Sequence, residues 1–229
     1  MIMNTIDHNA LLLQVMAHDL LAPLTAIKWQ IEIMAKEGPA DSKFAERLQG
    51  VHDSTHLGIT LTKHAHVAGR VLVGSYEQDN VATPLADIVR ESALNLKYQY
   101  ERHGLTLEVE IDADPTEYEI DTNLLKLLVW SIAKYFLSSA PAHTVISFRG
   151  ISAPNAEGKN LFVLIGSAPN IPDTDNTVKP FSATEASGPY DQAFVFAKLI
   201  HTISPLVGAA VSASAQGSSL VIEVAFDRT

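Results

Sequence analysis

Between Thr5 and Glu37 the chain carries no glycine, while Met16, Leu20, Leu24, Ile27, Ile31 and Met34 recur at steps of 4, 4, 3, 4 and 3. That spacing is one face of an α-helix, and a glycine-free run of this length predicts one long helix. Gly38-Pro39-Ala40-Asp41 breaks the pattern, with Asp41 placed to cap the next helix. This second helix is predicted from Ser42 to about Val73, with Phe44, Leu48, Val51 and Thr55 at helical steps and more mixed spacing through Leu61, Val67 and Val71. Two such helices form an antiparallel hairpin, each about 45–50 Å long at 1.5 Å per residue. A two-helix hairpin leaves one side of its apolar seam open to water. The simplest remedy is a symmetric dimer that closes a four-helix bundle, so a homodimer is expected.

Tyr76–Asn80 reads as a linker, and the pattern then changes character. Thr83-Pro84-Leu85-Ala86-Asp87 reads as a helix start, leading through Ile88, Val89, Ala93 and Leu96 to a stop at His103-Gly104. Leu105 to Ile111 alternates apolar and polar residues as a half-buried strand does. A helix is predicted from Asn123 to about Ser138, strands near Thr144–Arg149 and Leu161–Ile165, a helix over Ala193–Ile203, and a closing hairpin from Ala209–Ala213 and Ser219–Ala225. The fold class expected is therefore α+β: a helical hairpin over residues 1–78, then a two-layer α/β sandwich over 79–229.

Composition narrows the function classes. A net charge of −10, from 16 basic and 26 acidic residues, argues against binding nucleic acid, which needs clustered Lys and Arg. With no cysteine the chain has no disulfide, thiolate zinc site or cysteine nucleophile. No stretch reaches the roughly 18–20 apolar residues of a membrane helix, and no basic segment opens a signal peptide, so a cytoplasmic location away from membranes is expected.

His18 stands between Met16 and Leu20, about 200° of helical rotation from each, which points it away from the apolar stripe. The segment His18-Asp19-Leu20-Leu21-Ala22-Pro23-Leu24-Thr25-Ala26-Ile27 places a proline inside the helix, where it ordinarily costs roughly 3 kcal/mol. This run resembles the phosphoacceptor box of sensor histidine kinases. The resemblance implies that His18 carries a phosphoryl group and that the Asp19 carboxylate takes or orients the proton on the other ring nitrogen. The position at which the family uses Thr or Asn for hydrolysing a partner's aspartyl phosphate holds Ala22, and its usual basic neighbour is replaced by Leu21. Gln14, Leu21, Ala22, Thr25 and Lys28 share or border the outer face and are candidate docking positions for a receiver domain.

The resemblance continues downstream, in the order of the histidine-kinase ATP-binding domain, a sandwich shared with gyrase and the Hsp90 chaperone. What departs is the nucleotide site. Ser131 and Tyr135 stand where the family has two asparagines, the second a magnesium ligand. Gly166 aligns with the aspartate that holds adenine, followed by Ser167-Ala168-Pro169-Asn170-Ile171-Pro172. Pro180-Phe181 matches a family phenylalanine motif, and the glycine-rich phosphate cradle reads Gly188-Pro189-Tyr190-Asp191-Gln192-Ala193. Bulky residues and the carboxylate of Asp191 there oppose phosphate binding.

The resemblance therefore implies a phosphotransferase of a two-component phosphorelay that takes phosphoryl from one receiver aspartate on His18 and passes it to another. No cofactor of its own is expected: magnesium would come with the receiver, and ATP is not expected. Two other readings remain open, an active soluble histidine kinase and a non-catalytic scaffold. His52 with His56, and His64 with His66, have no carboxylate or third histidine at a supporting spacing within the same turn except Asp53, so solvated helix faces are expected and no metal site. Trp29 and Trp130 are expected to serve packing.

Overall fold

A computed structural model describes residues 8–37, 42–72, 74–112, 116–154, 160–171, 178, 181 and 192–227, without the side chains at 8–15, 17, 18, 21, 35–37, 42, 153, 154, 160 and 227. The chain divides into two compact units, Met1–Gly74 and Ser75–Thr229. Asp41 and most of the segment from Pro172 to Asp191, Gly188 included, lie outside the described residues.

In the first unit, helix α1 (His8–Glu37) packs along helix α2 (Ser42–Leu72). A Cβ at Gly50 would stand 3.2 Å from Gln30 Nε2. Positions 30 and 50 lie equally far from residue 40, as the two arms of an antiparallel hairpin require. Glycine at 50 leaves room there for the Gln30 side chain. The packed stripe differs from the expected one. Met16 and Pro23, seven residues apart, are buried, Leu20, Ile27 and Met34 are half-buried, and Leu24 and Ile31 are exposed. The contact face with α2 is thus rotated toward the Pro23 side by less than one residue step, which is about 100°. On α2 the matching heptad is Ser54, Leu61 and Ala68, all buried, with Gly58 between.

The second unit is a mixed sheet with helices on one face. Strand β1 (Asn80–Pro84) pairs antiparallel with β3 (Glu117–Asp121), Asn80 opposite Asp121. A separate five-stranded sheet runs β2 (Thr106–Ile111), β4 (Val145–Pro154), β5 (Asn160–Ala168), β7 (Ser219–Asp227) and β6 (Ala209–Gln216). Only β2 and β4 are parallel, so a crossover must join them, and helix α5 (Thr122–Ser139) is part of it. Alternate residues Ile146 and Phe148 on β4, Phe162 and Leu164 on β5, and Ile222, Val224 and Phe226 on β7 are fully buried. They meet α5 and helix α6 (Gln192–Ile203), whose Trp130 and Phe196 rings cross edge to face at 5.5 Å. No helix among the described residues is long and apolar enough to cross a membrane.

Three local expectations need correction. The helix expected from Thr83 to His103 is two helices, α3 (Leu85–Leu94) and α4 (Lys97–Arg102), and Thr83-Pro84 belongs to β1. The ladder breaks because Leu96 N–H bonds to Ala93 O, three residues back, and Leu96 O then starts a new turn by accepting from Gln99 and Tyr100. That tightening carries Tyr100 into the core, where its hydroxyl donates to Ala133 O at 2.6 Å. The stretch from Tyr76 to Asn80 is not a free linker either. The Tyr76 hydroxyl donates to both carboxylate oxygens of buried Asp121, at 3.1 and 3.0 Å, and Asp79 N–H donates to Oδ2 at 2.9 Å. Lastly, Trp29 is 64% exposed, because it stands on the side of α1 opposite Met16 and Pro23, while Trp130 packs as expected.

Candidate functional site

Helix α1 carries the first group of candidate residues. Pro23 sits inside the helix and faces inward, so the positions about half a turn away, 18, 21, 25 and 28, fall on the outer side. Ala22, Thr25 and Lys28 are exposed or half-buried, and Asp19, between the two sides, is half-buried. The backbone at His18, Gln14 and Leu21 is helical, while their side chains lie outside the described set. A buried proline gives this outer face a physical cause: the ring removes one backbone donor, and burying it against α2 leaves the positions opposite it facing away from α2.

The second group lies on the second unit, at the positions matched to a nucleotide site. Ser131 is fully buried and its hydroxyl donates to Leu127 O at 2.7 Å, closing on its own helix. The Tyr135 ring is fully buried, edge to face with Phe181 at 4.8 Å, and the adjacent Phe136 stands edge to face with Phe148 at 6.1 Å. His201 Nε2 in turn donates to Phe181 O at 2.9 Å. At Gly166 on β5, a Cβ would lie 2.6 Å from Phe136 Cε2 and 3.5 Å from Ile132 Cγ2. A side chain there would force the Phe136 ring to shift. Further on, Asn170 takes φ 57°, a left-handed conformation that favours glycine and tolerates asparagine, and the buried Ile171 donates its N–H to Ser218 O at 2.8 Å.

These are the positions that the resemblance matches to a magnesium nucleotide site. The ion requires oxygen ligands, and the two α5 positions offer a hydroxyl turned onto its own backbone and an aromatic ring stacked in the core. At the position that the resemblance matches to the family's adenine-binding aspartate, a side chain on Gly166 would crowd Phe136. Phe136 is the residue that sequence reasoning missed. It belongs to an apolar run, Tyr135-Phe136-Leu137, that reads as ordinary core, and only its approach to Gly166, thirty residues away in sequence, reveals what it occupies.

Asp121 is a second residue that the sequence understated. Besides the Tyr76 hydroxyl and Asp79 N–H, its carboxylate accepts from the N–H groups of Asn123 and Leu124 at 2.9 and 3.1 Å, capping α5. An aspartate immediately before Thr122-Asn123-Leu124 is a recognisable cap signal, but its hold on Tyr76, 45 residues away, is not.

In fold, then, this is a histidine-kinase-like chain: a mixed α/β unit with a five-stranded mixed sheet and, before it, two long packed helices. Among solved structures it is similar to the Acinetobacter baumannii histidine kinase AdeS, at 15% identity and a TM-score of 0.50, covering 93% of this chain and 98% of that one. A bacterial phosphotransferase solved at 1.7 Å is similar at 17% identity and a TM-score of 0.54, with 98% of each chain covered. The cytoplasmic segment of histidine kinase QseC is similar at 14% identity and a TM-score of 0.51, covering 74% of this chain and 95% of that one. At such identities the likeness speaks for the fold alone. No protein-family model and no curated protein matches the sequence.

Proposed function

We propose that this chain is a histidine phosphotransferase of a two-component phosphorelay, with His18 as its phosphoryl carrier. The observation that supports the reading is the aromatic packing of the second unit, Phe136 against Gly166 and Tyr135 against Phe181, near the positions that the resemblance matches to a kinase's nucleotide site. On this reading the chain does not use ATP and obtains its phosphoryl group elsewhere. An aspartyl phosphate on a receiver domain is a donor of suitable reactivity.

In that reaction an imidazole nitrogen of His18 attacks phosphorus, a P–N bond forms, and the P–O bond to the receiver aspartate breaks, the carboxylate leaving with the electron pair. Asp19 holds the proton of the other ring nitrogen, so that the charge gained by the ring is balanced nearby. In the return step a second receiver's carboxylate attacks the phosphohistidine, and the imidazole leaves as a neutral base. The magnesium at the phosphoryl group belongs to the receivers. Gln14, Leu21, Ala22, Thr25 and Lys28 form the docking face, and Ala22, lacking a hydrogen-bonding side chain, provides no group to position a hydrolytic water. The working form is a homodimer closed through the hairpin.

The test is transfer of label from a phosphorylated receiver to this protein, followed by electrophoresis and a check that the label is stable to alkali and labile to acid. Wild type should take up label, and His18→Ala should reduce uptake at least a thousandfold, about 4 kcal/mol in the transfer barrier. Label that persists in His18→Ala sinks the assignment. Label from ATP alone restores the kinase reading, and no label from either donor leaves a scaffold.

A further inference from the structure

The sheet of the second unit has two faces, and its middle strand is apolar on both. Strand β5 reads Leu161-Phe162-Val163-Leu164-Ile165, an unbroken aliphatic and aromatic run. Such runs belong to strands covered on both sides, whereas a sheet open to water on one side alternates. Phe162 and Leu164 are fully buried on the helical side, and Leu161, Val163 and Ile165, on the other side, are only half-buried. The strand register assembles the rest of that second face. Val163 stands between Ile151 on β4 and Ala225 on β7, and Ala225 is paired with Ala210 on β6. Ile151 is exposed, and so is Ala210.

The rim of this face is acidic. Ile165 is flanked by Arg149 and Glu223, and Arg149 is already paired to Glu110 at 3.2 Å across the parallel strands. Glu108, two residues before Glu110 on the same side of β2, is exposed and lies opposite Ser147. Among the described residues, three glutamates against one committed arginine leave the border negative, on a chain whose net charge is −10.

We propose that the β4–β5–β7 face is a docking surface for a partner protein's amphipathic helix with aliphatic residues on one side and Lys or Arg flanking them. Charge and backbone geometry together select this occupant. A second copy of this face would set acidic rim against acidic rim, and the rim would likewise repel an anionic lipid surface. The backbone of β5 is paired to β4 on one side and β7 on the other, so an added strand finds no free N–H or C=O there, and recognition must proceed through side chains. Helices α5 and α6 already solve this packing problem on the opposite face of the same strand. The proposal does not depend on the phosphotransferase reading.

The chain contains no cysteine, so an introduced one is its only thiol. In Val163→Cys the reaction with a maleimide is followed alone, with a synthetic amphipathic helix of leucine and lysine, and with its leucine–glutamate counterpart. Lys97→Cys on α4 serves as the reference site. The expected result is ready labelling without peptide, slowing of about tenfold or more by the leucine–lysine helix at saturation, little change with the acidic one, and no change at position 97. Adding Ile151→Lys should restore fast labelling in the presence of the basic helix. Ala225→Cys replaces Val163→Cys if circular dichroism shows the latter misfolded. The proposal is overturned by a thiol as unreactive as a core residue in the free protein, by labelling that slows with protein concentration, by equal protection from both peptides, or by protection from neither.

Discussion

Helix α5 hides twelve of its eighteen residues, Leu124 through Phe136 apart from Lys126, while α1 leaves Leu24 and Ile31 at 55% and 54% exposure. Both are long, apolar helices, and the difference lies in what surrounds them. α5 has a sheet beneath it and α3 and α6 beside it within the same unit, so its whole circumference finds partners. α1 has α2, and Leu48 and Ile59 on α2 are exposed as well. One region is completed by its own chain; the other carries an exposed apolar edge, which the proposed homodimer would cover.

That contrast can be broken at several points. Removing the ring that closes the second unit, Phe136→Ala, should lower its unfolding free energy by about 3–5 kcal/mol in a denaturant titration, because the residue is fully buried against Phe148 and Gly166. Charging the open edge of the hairpin, Leu24→Glu with Ile31→Glu, should raise the dimer dissociation constant at least a hundredfold, about 3 kcal/mol, in sedimentation. The unfolding of the second unit should stay as in wild type, and an unchanged dimer would mean that this edge is not where copies meet.

Smaller effects sharpen the same comparison. Gly166→Ala should cost about 1–3 kcal/mol by overpacking against Phe136. In the Phe136→Ala background the same change should cost little, and a coupling below about 0.5 kcal/mol would show that the two residues do not compete for one space. Tyr100→Phe should cost about 1 kcal/mol at neutral pH through the lost bond to Ala133 O. Burial pushes the Tyr100 hydroxyl above its ordinary value of about 10. The folded chain therefore keeps its proton while the unfolded chain ionises, and stability that is complete below about pH 10 falls as pH rises further. Tyr100→Phe should flatten that alkaline decline in a series of melts.

Much of the architecture follows from local pattern. The missing glycines and helical spacing from Thr5 to Glu37 give α1, found from His8 to Glu37, and the alternation after Gly104 gives β2. The same reasoning placed the stripe of α1 slightly wrong, because the heptad of apolar residues marks two surfaces at once, one packed on α2 and one open, and Pro23 decides which is which. β3 was not legible: Glu117-Tyr118-Glu119-Ile120-Asp121 is short and its pairing with β1 spans more than thirty residues. The break at Asn95–Leu96 was not legible either, since Ala93, Leu96 and Tyr100 keep a helical spacing through it.

The amino-acid order alone determined the two long helices, the proline set within the first of them, the histidine opposite the apolar stripe, and the alternation of the sheet. All of these depend on residues a few positions apart, whose relation the 3.6-residue and two-residue periods fix. Only the tertiary structure decided that Phe136 fills the space beside Gly166, that Asp121 holds Tyr76 while capping α5, and that one face of β5 is fully buried while the other is half-buried. Those facts join residues thirty or more positions apart, or depend on which layers are present, and close packing rather than local propensity chooses among the arrangements that the pattern allows.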